Sequence, residues 1–150
     1  MGCLATGLLA RAQDLSAATA ADVVLARKAL MNFMCERMAQ VETMIGRGNV
    51  DLNIARASAD AISTMFTAFP HLFPPNSNRW RLDPDADPAT ETLASPELWT
   101  GFPDFYQQAA AASKSAHEMA RADTVEDVKT RARELRILCD TCHALYLEDP

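Results

Sequence analysis

The chain is short of the features that interrupt helices, build parallel sheets or cross membranes. Glycine is scarce, five in 150 residues, and no βαβ pattern is present, which removes the usual setting of a dithiol oxidoreductase. No apolar run is long enough to span a bilayer, so stable membrane insertion is not expected. Basic residues do not dominate: 14 Lys and Arg against 20 Asp and Glu give a net charge of -6, which argues against a nucleic-acid binder. Cysteine is limited to four residues, Cys3, Cys35, Cys139 and Cys142. Only one close pair exists, too few for a four-ligand structural zinc site built from two paired motifs.

What remains is a helix-forming composition. Hydrophobic residues make up 49% of the chain, with Ala, Leu, Met, Glu and Arg abundant. A chain of this length is expected to form one domain that buries about two thirds of its unfolded surface. Residues 1–12 read as the remnant of a secretory signal: Leu4 to Ala10 is small and apolar, and Ala10-Arg11-Ala12 offers a small-x-small cleavage site before Gln13. The domain is therefore placed at 13–150.

Four long helices are expected. The first runs from about Ala20 to Ile45, opened by Thr19 with Asp22 and stopped by Gly46 and Gly48. Val23, Leu30, Met34, Val41 and Ile45, with Met31 and Met38 beside them, form its apolar face. Arg27 lies on or near that face, one turn before Met31; it either snorkels to the bundle edge or meets an anionic partner. The second helix spans about Asp51 to Phe69, opened by Asn49 or Asp51 and closed by Pro70. Five of the eight prolines then fall between residues 70 and 94, which makes this stretch a long crossover. Trp80, Phe69 and Phe73 are expected to cover the core beneath it, and His71 reads as a surface residue.

Ser95-Pro96-Glu97 is a helix start with Ser95 as cap, and Gly101 and Pro103 are expected to break this turn from the third main helix, about Asp104 to Ala122. Phe102, Phe105, Ala109, Ala112, Ala116 and Met119 mark its buried stripe, with His117 beside it as a structural or exposed residue. The fourth helix starts at Thr124 and Asp127. From Val125 through Val128, Ala132, Leu135, Cys139 and Cys142 to Tyr146, its apolar positions alternate in steps of three and four. Lys129, Arg133 and Arg136 form a basic edge, most simply a solvated face, with a propionate or a partner protein as the other reading.

The chemistry of the chain is concentrated in Cys139-Asp140-Thr141-Cys142-His143. Two cysteines three apart with a histidine directly after the second form the attachment spacing of a c-type haem. The thiols become thioethers to the haem vinyl groups, and the imidazole becomes an axial ligand of the iron. On a helix, positions i, i+3 and i+4 share one face, so all three side chains can address one flat group.

Four helices, one long middle connection and a C-terminal haem motif make the chain similar to the cytochrome c prime family, over about residues 15 to 147. The resemblance rests on Arg27 to Met34 in the first helix, Pro96-Glu97-Leu98-Trp99 before the third, and Cys139 to Tyr146 in the fourth. It implies an all-α antiparallel four-helix bundle with one covalent haem c per chain, bound through Cys139 and Cys142. It further implies His143 as proximal iron ligand, Arg27 near a propionate, and Met31 at the distal position. The chain departs from the family where Tyr146 is followed by Leu147 rather than a basic residue. Cys35 reads as a small buried hydrophobe.

The expected function is periplasmic electron transfer to a redox partner protein, with His143 and Met31 as axial ligands. The alternative is a five-coordinate haem that binds nitric oxide or carbon monoxide, with Met31 as an apolar lid. A third reading, a helical interaction module with a structural cysteine pair, needs no haem. No nucleophile and base constellation accompanies the motif, so an enzyme is not expected. A homodimer through the first two helices is expected from the family and from apolar residues such as Leu25 and Ile54 off the core stripes.

Overall fold

The computed structural model describes residues 19–78 and 91–147. The expected signal remnant and Trp80 lie outside these residues. The described chain is all α: α1 Ala20–Gly46, α2 Leu52–Ala68, the one-turn α3 Glu97–Thr100, α4 Phe102–Met119 and α5 Val125–Tyr146. The four long helices form an antiparallel bundle. Two 3-10 turns, Phe69–Leu72 and Pro75–Ser77, open the crossover between α2 and α3.

Helix starts follow the local chemistry. Thr19 and Asp22 make a reciprocal capping box, with the Asp22 N–H donating to Thr19 Oγ1 at 3.1 Å and the Thr19 N–H to Asp22 Oδ2 at 2.9 Å. Asp51, rather than Asn49, caps α2 by accepting from the N–H groups of Asn53 and Ile54. Thr124 caps α5 by accepting from Asp127. The stop of α1 is a Schellman arrangement. Gly48 at φ 68° is in the left-handed region, its N–H reaches Ile45 O, and the Asn49 N–H reaches Met44 O. Gly46 is simply the last helical residue.

Two expected boundaries are corrected. Ser95 does not cap α3; its hydroxyl is buried without a partner among the described residues, while its N–H donates to Tyr146 O at 2.9 Å beside the Ala94–Leu147 bridge. The backbone is thus committed to tying the crossover to the end of α5, and the cap geometry is lost. Pro103 does not delay α4, which begins at Phe102, because proline in a first turn removes a donor that has no helical acceptor.

The buried face of α1 keeps Met34 and Val41 of the expected stripe, with Met38 beside them, and differs in its first turns, while Leu30 and Ile45 are only half-buried. Val24, Met34, Met38 and Val41 are buried, Val23 is only half-buried, and Arg27 is inside. On α4 Phe105, Ala109, Ala112, Ala116 and Met119 are buried as expected, while Phe102, at the helix start, is only half-buried. Helix α2 packs closely on α4, α4 on α5 and α1 on α2, whereas α1 and α5 touch sparingly. The alanines of α4 permit the close packing on one side of the bundle. The side chains between α1 and α5 hold those two helices apart, and the functional cavity opens there.

Candidate haem site

A largely apolar cavity opens between α1 and α5. Met31, Met34, Cys35 and Met38 line it from α1, and Leu135, Arg136, Cys139, Cys142 and His143 from α5; Ile62 and Phe66 of α2 form its floor. The seam of α5 explains the placement. Val128, Ala132 and Leu135 are fully buried against the bundle, but the next positions, Cys139 and Cys142, are only half-buried because the cavity replaces a packing partner.

Four of the five expected site residues come together here: Cys139, Cys142 and His143 on one wall, Met31 on the other. The thiols are not poised for redox exchange. Burial raises the pKa of both Cys139 and Cys142 to about 11, opposite to the lowered pKa of a dithiol active site. Among the described residues no group of three or more His, Cys, Asp or Glu is placed to hold a metal ion, so the zinc reading has no ligand set there.

Arg27 does not line this cavity. It is 3% exposed, which overturns the snorkelling alternative. Its Nη1 donates to Ser77 Oγ at 2.9 Å and Nη2 to Ser77 O at 3.0 Å, with a longer contact from Nη1 to Leu72 O. The guanidinium lies 4.7 Å from the Phe73 ring centre and 5.4 Å from that of Trp99, which offsets part of its desolvation. Burial lowers its pKa to about 10, so it stays cationic at neutral pH. Among the described residues its Nε has no partner. Arg27 and Met31 both border a second opening, with Phe69, Phe73, Leu93 and Leu147. Met31 is therefore a wall shared by the two spaces.

Cys35 departs from expectation: it is exposed rather than buried, and it borders the haem cavity. Four residues after Met31, it shares Met31's side of α1, and that side faces the α1–α5 gap instead of packed core. Arg136, expected on a solvated edge, lines the cavity and pairs with Glu42 across the bundle. Its position one turn before Cys139 is the sequence signal for that placement. His71 and His117 are both exposed and border no part of this cavity.

The donor chemistry fits a covalently attached haem. Two neutral thiols and an imidazole share one wall, a thioether faces them, and the remaining lining is largely apolar. A four-helix bundle with such a site defines a class, the helical-bundle haem proteins of the c type. Within it the chain belongs to the cytochrome c' family: the model of the family described as Cytochrome C' matches residues 22–146, and that family implies covalently bound haem c. The chain is 28% identical over 103 residues to a cytochrome c-556 of Agrobacterium tumefaciens, covering 67% of this chain and 75% of the relative. Its fold is similar to cytochrome c' from Thermochromatium tepidum, with a TM-score of 0.78 and 21% identity over 88% of this chain and 98% of the other. A cytochrome c' described as having ligand-controlled dimer dissociation aligns with a TM-score of 0.76 and 20% identity, over 89% and 100% of the two chains.

Proposed function

We propose that the protein is a periplasmic electron carrier with one haem c per chain, joined through Cys139 and Cys142, with His143 and Met31 as axial ligands. The observation that carries this reading is that Met31 and His143 line one cavity from opposite helices. When bound, the haem supplies one-electron exchange. His143 orients it from α5, and the apolar walls exclude water, which keeps reorganisation small. Met31 would offer a thioether, which favours the reduced state, on an unbranched side chain able to adapt to the gap between α1 and α5. The unpartnered Nε of Arg27, buried beside Met31, gives a propionate a donor at the cavity's neighbour. In this reading the chain passes electrons to a partner protein and catalyses no group transfer.

Absorption and magnetic resonance spectra test the reading. Low-spin spectra in both redox states, converted to high spin in Met31→Leu with the fold retained, are expected. Leucine keeps the volume and removes only the donor. A high-spin wild type that binds carbon monoxide rapidly rejects ligation by Met31. One observation favours that second reading: Met31 separates two open spaces, so a side chain swung away from the iron leaves a path for nitric oxide or carbon monoxide.

A further inference from the structure

The cavity wall carries one fixed cation, and its mate lies on the opposite helix. Arg136 donates from Nε to Glu42 Oε1 and from Nη2 to Glu42 Oε2, both at 2.7 Å. The two residues are 94 positions apart, so this fork joins α5 to α1, a helix pair that otherwise touches little. Two parallel bonds fix the guanidinium plane in a way that a single contact does not. Asp140 Oδ1 stands 3.9 Å from Arg136 Nη1, on the solvent side at 67% side-chain exposure. Arg136 borders the cavity, whereas Glu42 and Asp140 do not. The pair therefore sits at the edge of the space that holds Cys139, Cys142 and His143, with its cationic residue among the lining and its carboxylate outside it.

We infer that Arg136 is the charge that sets the redox equilibrium of the bound group, and that Glu42 is a positioning residue that holds it in place and partly cancels it. The inference rests on the proposed haem reading. Oxidation adds one positive charge to the centre, so a cation held beside it penalises the oxidised state and an anion favours it. Removing Glu42 leaves the cation uncompensated; removing Arg136 leaves the carboxylate uncompensated. The two single changes must then act with opposite signs. The hydrogen bonds to Glu42 raise the Arg136 pKa, outweighing desolvation, so the guanidinium stays charged throughout the working range.

The test measures reduction potentials of the matured holoprotein, with covalent haem first verified by mass. Glu42→Gln is expected to raise the potential and Arg136→Leu to lower it. Each should move the oxidised-to-reduced ratio at fixed potential by about tenfold, which is about 59 mV for one electron. The double variant should fall between the singles. Arg136→Lys keeps the charge and should stay on the wild-type side of Arg136→Leu; it also carries the test if the leucine variant does not mature. A clamp that acted only by holding the helices together would open the cavity to water in both single variants and shift them in the same direction. Shifts of the same sign, or none, overturn the inference while leaving the haem reading intact. A wild-type chain that matures without covalent haem overturns both.

Discussion

Arg27 shows how far a single residue can be read from sequence. Its position on the apolar side of α1 is visible there, and with it the need for a partner. Its partners are Ser77 and Leu72, 50 and 45 residues away, and no local pattern announces them. The guanidinium holds the first turns of the crossover against α1, beside the rings of Phe73 and Trp99. Replacing it with leucine removes charge-assisted bonds and leaves the carbonyl of Ser77 without this donor. Urea unfolding should show a loss of about 3 kcal/mol. Arg27→Lys should recover less than half of that, because an ammonium cannot donate to Ser77 Oγ and Ser77 O through a planar fork. A lysine variant as stable as the wild type would mean that the charge alone matters. Cys139, Cys142 and His143 are legible for the opposite reason: their whole meaning lies within five consecutive residues.

At the scale of elements, the bundle is largely written in spacing and caps. The caps Thr19, Asp51 and Thr124 and most of the stripes of α4 and α5 need only local chemistry; at the helix starts Phe102 is half-buried and Val125 exposed, where the expected stripes had both inside. The buried face of α1 begins at Val24 rather than Val23, and because the two are adjacent and equally apolar the sequence does not choose between them. Ser95 has the sequence of a cap but is taken up by the Ser95–Tyr146 backbone bond. The two glycines at the end of α1 are equivalent in sequence and different in structure. Gly48 sits at φ 68° with nothing within 4 Å of the place a Cβ would occupy, and Gly46 is helical with the same free space. Alanine at 48 therefore incurs only the left-handed backbone penalty, about 1 kcal/mol. Alanine at 46 should instead stabilise by about 0.5 kcal/mol, since a helical position prefers it. Thermal melts of Gly46→Ala and Gly48→Ala should move in opposite directions. Equal destabilisation would show that the stop is shared by both residues.

For the whole molecule, the apolar surface left outside the bundle bears on assembly. Leu25 is 59% exposed, Phe33 51% and Ile54 43%, the first two on α1 and the third on α2. They lie off the core faces of their helices, and exposed apolar side chains of that kind can form an interface. Each chain carries a net charge of -6, so two copies repel when screening is weak. An apolar contact working against like charge should tighten as salt is added, whereas a contact built on ion pairs should loosen. Sedimentation of the holoprotein across a range of ionic strength should show a homodimer that strengthens with salt. Ile54→Glu should return it to monomer without changing the haem spectrum, because residue 54 borders neither opening. A wild type that stays monomeric at every ionic strength rejects the dimer. One that dissociates as salt rises places the interface on charged residues instead of Leu25, Phe33 and Ile54.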